Sequence, residues 1–125
     1  MLLDADVIID IWRSHPPALS WMASLEGLPI VAGVAGMELL FGCRNQIELR
    51  QAQKFLDSFV VLWPEHTDMV RAYRDYPVLK LTHNLGISDA LIASTAIGHD
   101  LPLATFNLKH FTAVPGLKVV KPYSR

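Results

Sequence analysis

A single cysteine, Cys43, stands among the 125 residues. An intramolecular disulfide is thereby excluded, as is a zinc site built on several cysteines, and a reducing cytoplasm is the expected setting. Charge of one sign is also missing, since 11 Lys and Arg face 12 Asp and Glu for a net charge of −1. That balance argues against a protein that coats polyanions wholesale, though not against a local basic patch. No run reaches the ~18–20 apolar residues of a membrane span, and the N-terminus lacks the basic start and long apolar stretch of a signal peptide. Repeats, low-complexity tracts and long linkers are absent.

What remains is apolar: 51% of residues are hydrophobic and 18% charged, with a mean hydropathy of +0.28. Such a chain is too rich in Leu, Ile, Val and Ala to stay disordered. Its length suits one domain, residues 1–125, with a folded surface of about 6,700 Å² against about 20,000 Å² unfolded. A core of that size needs no metal or disulfide to hold it. The high hydropathy points to an apolar surface covered by a second copy or another protein.

Short apolar runs alternate with helical patterns. Met1–Leu3, Pro29–Ala32, Val60–Trp63, Leu103–Thr105 and Leu117–Val120 read as strands. Val7–Trp12, Pro17–Leu25, Val34–Cys43, Gln46–Phe55, Thr67–Tyr73 and Ser88–Ile97 read as helices, the last with Ser88 as its N-cap. This alternation predicts an α/β domain with a small, mainly parallel sheet. In such folds ligands sit beyond the carboxyl ends of the strands.

Acidic residues fall where acid is expensive. Asp4 directly follows the first strand. Glu38 lies on the helical stripe of Val34, Met37 and Phe41, and Asp89 shares a stripe with Ile92, Ala93 and Ala96. An unpaired carboxylate in apolar surroundings costs several kcal/mol or takes up a proton. The Lys and Arg residues cluster in polar stretches elsewhere. One divalent cation would compensate all three acids, and oxygen donors with few histidines suit Mg²⁺ or Mn²⁺. Each acid also has a plainer reading: Asp4 as a helix cap, Asp89 as a complement to the helix dipole, Glu38 as a side chain reaching solvent. Asp6 and Asp10 read as caps or solvated surface, although Asp6 stands close enough to Asp4 to join a site. Thr105 and Asn107 follow another strand, where Asn107 would bind a metal-held water or a phosphate oxygen and Thr105 would position it. The alternative is that Asn107 caps the turn Leu108–Phe111.

Four segments resemble the motifs of PIN domains: Leu2-Leu3-Asp4-Ala5-Asp6-Val7-Ile8-Ile9, Met37-Glu38-Leu39-Leu40-Phe41-Gly42, Ser88-Asp89-Ala90-Leu91-Ile92-Ala93 and Leu103-Ala104-Thr105-Phe106-Asn107-Leu108-Lys109-His110-Phe111. They stand in the family's order and span nearly the whole chain. The short single-domain form is similar to VapC-type toxins of toxin–antitoxin pairs. The resemblance implies a three-layer α/β/α fold, a Mg²⁺- or Mn²⁺-dependent endoribonuclease, an antitoxin partner and a homodimer. It implies metal ligation by Asp4, Glu38 and Asp89, with Asn107 as a fourth catalytic position. Many relatives carry an acid at that position, and Asp6 is a candidate to restore the missing negative charge. Arg44, Lys109 and His110 follow motif residues and are candidates for contact with RNA.

Two rival readings stand beside this one. Asp4-Ala5-Asp6-Val7 also resembles the opening of haloacid-dehalogenase-type phosphatases, where Asp4 would be a nucleophile. That family needs a downstream lysine and a paired acidic motif, and Lys80 and Lys109 lack the context. The other rival is a PIN-like module that holds RNA or a protein without cutting, which the neutral Asn107 favours.

Overall fold

The computed structural model describes all 125 residues, Met1–Arg125. Five short strands form one sheet: β1 (Leu2–Leu3), β2 (Ile30–Ala32), β3 (Val60–Leu62), β4 (Leu103–Ala104) and β5 (Val119–Val120). Their order is β3-β2-β1-β4-β5 and every pairing is parallel. The expectation of a mainly parallel sheet is met in full. Leu2 and Leu3 pair with Ile30 and Val31 on one side and with Leu103 and Ala104 on the other. All four residues of β1 and β4 are fully buried. Helices on both faces explain why apolar side chains occupy successive rather than alternate positions. Burial of each such Leu is worth about 1.5–3 kcal/mol.

The chain fills one side of β1 with β2 and β3, then crosses to the other side for β4 and β5. A switch point therefore lies between β1 and β4, and the crevice at their carboxyl ends is where this class of fold binds ligands. Asp4 and Thr105 are the first residues past those two strands.

Eight helices surround the sheet: α1 (Ala5–Trp12), α2 (Pro16–Ser24), α3 (Gly33–Phe41), α4 (Gln46–Leu56), α5 (His66–Asp75), α6 (Pro77–His83), α7 (Ile87–Gly98) and α8 (Leu108–Phe111). Helix α6 has no counterpart among the sequence expectations. Its seven residues include none that is buried, so it carries no core-facing stripe to read. The start of α7 also differs: Gly86 occupies the N-cap and Ser88 lies inside the first turn. Asn45 caps α4, its Oδ1 accepting the Glu48 backbone N–H at 2.8 Å.

Helix α7 is the internal element of its layer, with Ile92, Ala93, Ser94, Thr95 and Ala96 consecutively buried. Helix α5 packs against it through a polar joint. Asp68 is 2% exposed and ion-pairs with Arg71 Nη1 at 3.0 Å. Arg71 also donates to the Ser94 carbonyl at 3.1 Å and to Ser94 Oγ at 2.8 Å. The Ser94 hydroxyl donates to the Asp68 carbonyl at 2.6 Å. The buried Asp68 carboxylate and the Ser94 hydroxyl both have partners, which is the condition for burying an ion pair without a large penalty.

A second polar joint ties the C-terminus to α1. Asp10, expected as a cap or solvated surface residue, is buried instead, and its carboxylate accepts from the Tyr123 hydroxyl at 2.7 Å and from Arg125 at 3.0 Å. These partners hold its pKa below the usual carboxylate range despite desolvation, and the Asp10 carboxylate pushes the Tyr123 hydroxyl pKa upward together with burial.

A Cβ added at Gly98 would overlap the Asp68 carboxylate. Gly98→Ala is therefore expected to destabilise the fold by about 1–3 kcal/mol through overpacking. Urea denaturation checks this, and an unchanged midpoint would refute the close approach of α5 and α7.

Candidate active site

Asp4 is the N-cap of α1 and is 5% exposed. Its Oδ1 accepts the Ala5 backbone N–H at 2.7 Å and its Oδ2 accepts the Thr105 hydroxyl at 2.7 Å. The capping role weighed from sequence is real, yet it uses only one of the two oxygens. Thr105 Oγ1 in turn accepts the Asn107 backbone N–H at 3.0 Å. A hydroxyl has one proton to give, and the short contact assigns it to Asp4 rather than to Asp6, whose Oδ2 is 3.4 Å away. Asp6 Oδ2 is instead satisfied by the Phe106 backbone N–H at 2.9 Å. Thus two pairs about 100 residues apart in sequence, Asp4 with Asp6 and Thr105 with Asn107, form one bonded group across the switch point.

Asp89 approaches from α7. Its Oδ2 accepts the Gly86 backbone N–H at 3.2 Å and lies 3.4 Å from His110 Nδ1, a buried nitrogen with no hydrogen-bond partner. Glu38 comes from α3 and is exposed, because the stripe read from sequence is not the buried one. Gly33, Ala35, Gly36 and Leu39 face inward, while Met37 and Phe41 are 43% and 85% exposed. Glu38 lies between these faces, at the rim of the crevice. Small residues, not large ones, mark the inner side of α3, so a count of bulky apolar residues selects the wrong stripe.

The acids act on one another. The Asp4 pKa is pushed up to about 7 by burial first and then by the Asp6 charge, with Asp89 adding to it, while the Thr105 and Ala5 bonds pull it back. The Asp6 pKa is raised by burial and moderated by the Phe106 and Val7 bonds and by Arg125. The Glu38 pKa is raised by partial desolvation of its carboxyl at the rim and by the Asp89 and Asp6 charges, with the Ser88 hydroxyl opposing. Arg125 is a basic residue that sequence reading did not place near the acids. It sits 4.6 Å over the Phe106 ring and bonds Asp10. Its nearness follows from the return of the C-terminal segment to α1, which no local pattern announces.

The donors are oxygens that suit a hard dication, and the forces on Asp4 and Glu38 include no basic side chain. No three acidic, histidine or cysteine side chains converge closely enough to enclose an ion outright. The acids meet through shared hydrogen bonds and their fields. The candidate RNA-contacting residues are dispersed: Arg44 is exposed and pairs with Glu48 at 3.6 Å, Lys109 is exposed on α8, and His110 joins the acidic group.

A carboxyl whose pKa rises on folding binds its proton more tightly in the native state. The metal-free protein is therefore expected to lose stability as pH rises from about 4 to about 7, by up to a few kcal/mol. Asp4→Asn should flatten that slope in denaturant melts. A stability that climbs over this window would refute the crowding of the acids.

The PIN domain family pattern matches residues 1–117. Ribonuclease VapC10 of Mycobacterium tuberculosis is 35% identical over 94% of this chain and 90% of its own length. Ribonuclease VapC19 of the same organism is 32% identical over 94% of this chain and 96% of its own. Among solved structures, a toxin–antitoxin complex from Klebsiella pneumoniae superposes with a TM-score of 0.79 at 25% identity, covering 99% of this chain and 98% of that one. VapBC-1 from nontypeable Haemophilus influenzae superposes with a TM-score of 0.77 at 22% identity over 95% of each chain, a likeness of fold. A family match across most of the chain, with two full-length relatives above 30% identity, establishes that this protein belongs to the PIN domain family, among the VapC ribonucleases.

Proposed function

We propose that the chain is a Mg²⁺- or Mn²⁺-dependent endoribonuclease and the toxin of a type II toxin–antitoxin pair. The observation that carries this reading is the group of acids at the switch point, where desolvation raises the proton affinity of Asp4, Asp6 and Glu38 and neighbouring acid charges add to it at Asp4 and Glu38. Asp4 and Asp89 would hold the cation, with Glu38 at the rim directly or through water. An ion held there would lower the pKa of a water and neutralise charge developing on the phosphate. Thr105 keeps one Asp4 oxygen and the Asn107 backbone in fixed relation, and the exposed Asn107 amide donates to a phosphate oxygen. Asp6, held by the Phe106 backbone, supplies the negative charge that Asn107 does not. Water attack in line forms the new O–P bond, the bond to the 3′ oxygen breaks, and that oxygen takes a proton. The products are a 5′-phosphate and a 3′-hydroxyl.

Lys109 and Arg44 are the exposed cations nearest the motif residues and are assigned to RNA phosphates. The apolar surface supports protein partners. Phe41, Tyr73, Leu81 and Ile87 are each more than four-fifths exposed, more than a lone soluble domain needs. A second copy of the chain and an antitoxin are the assigned occupants. Membership of the PIN family leaves no place for the dehalogenase-type reading, in which Asp4 would be phosphorylated.

Purified protein with Mn²⁺ is expected to cut single-stranded RNA, and a chelator should stop it. Asp89→Asn should lower the rate by at least about 100-fold while preserving the melting temperature, and Asp6→Asn should weaken metal dependence and rate together. RNA that is bound but left whole would replace this reading with that of a non-cleaving module.

A further inference from the structure

A small cavity of about 90 Å³ shares Glu38 with the acidic crevice. Its walls are Ile9 and Trp12 from α1 with Arg13 just after it, Glu38 and Leu39 from α3 with Gly42 just after it, and Glu48 from α4. Glu38 thus belongs to both the acidic group and this cavity, so a ligand seated here adjoins the reacting centre. Along α1, Trp12 lies about 9 Å from Asp6 at 1.5 Å per residue. Such a volume is far below the ~300–1,000 Å³ of an elaborated ligand site. It takes one face or edge of a planar group, the rest of which stays in the open crevice.

The chemistry of the walls is specific. The Trp12 indole is braced by Phe55, with ring centroids 5.2 Å apart at 51°. Arg13 is exposed and makes no ion pair within the chain. The Glu48 carboxylate stands at the wall, with Arg44 Nε 3.6 Å from its Oε2. A fixed aromatic face, a free guanidinium and an acceptor carboxylate are the three elements that receive a base, its phosphate and its amino edge.

We propose that this cavity is a nucleobase pocket for the nucleotide next to the cleaved bond, an assignment that rests on the ribonuclease reading. The base lies against Trp12, Arg13 holds the adjoining phosphate, and Glu48 accepts from an exocyclic amino group. Cytosine, adenine and guanine are accepted there and uracil is disfavoured, because its edge offers a carbonyl where the carboxylate needs a donor.

The test is cleavage of a randomised RNA pool with Mn²⁺, reading the cut sites by sequencing. Wild type should disfavour uracil at one position beside the cut. Trp12→Ala should reduce the preference at that position about tenfold, Trp12→Phe should retain much of it, and Glu48→Gln should admit uracil, with preferences elsewhere unchanged and folding verified by melting. Equal slowing on every sequence, or preferences identical to wild type, would overturn the assignment. So would variants that cut like wild type but no longer retain the antitoxin, since the cavity would then serve the partner protein. If wild type cuts no RNA, the ribonuclease reading falls separately. The pocket is then judged in a Trp21→Phe/Trp63→Phe background by quenching of the remaining indole with short RNA oligomers. Saturable quenching removed by Arg13→Ala upholds a base pocket, and absence of quenching overturns it.

Discussion

The Asp4 carboxylate is buried at the carboxyl end of the central strand, within the field of Asp6 and Asp89, and most of the crevice is organised around that placement. Burying such a group is unfavourable unless each oxygen is provided for. One oxygen is used by the start of α1 and the other by Thr105 from the neighbouring strand end. Because Thr105 also receives the Asn107 backbone, the loop after β4 is held in register with the loop after β1. The switch point places the two loops side by side, and the hydroxyl joins them. The remaining excess of negative charge is what a dication would relieve.

The helices are arranged to serve the same spot. Helix α3 presents Glu38 because its inner face is made of Gly33, Ala35, Gly36 and Leu39, which let it lie close to its neighbours. Helix α7 presents Asp89 because Gly86 and Ser88 place that residue in its first turn, where its carboxylate accepts an otherwise free backbone N–H. The cavity proposed to take a base lies at the far end of α1, so one helix carries the acidic group at its start and that cavity at its end.

Much of this was legible in the sequence. Apolar dipeptides such as Leu2-Leu3 and Leu103-Ala104 identify strands covered on both faces, and an acid directly after one of them identifies the crevice. The order of four motifs supplied the family. What escaped reading depends on contacts between distant segments. The burial of Asp10 requires Tyr123 and Arg125, 113 and 115 residues away. The burial of Asp68 requires Ser94, 26 residues away, although Asp68 and Arg71 at helical spacing resemble an ordinary surface pair. Helix α6 has no fully buried residue, only Leu79 resting partly against the core, and so left no periodic signal. The inner face of α3 was misread because glycine and alanine, not bulky side chains, marked it.

The joint between α5 and α7 has a mechanical consequence. Asp68 and Arg71 grip Ser94 near the middle of α7, and Gly98 leaves no clearance for sliding at its far end. Axial translation of α7 is thereby opposed, and the helix acts as a beam clamped along its rear half, with Asp89 in its first turn ahead of the clamp. Adjustment of that carboxylate toward a ligand is left to tilting of the tip and rotation of its own side chain. The stiffness of a joint at the rear of one helix thus sets how far a charge at its front can travel.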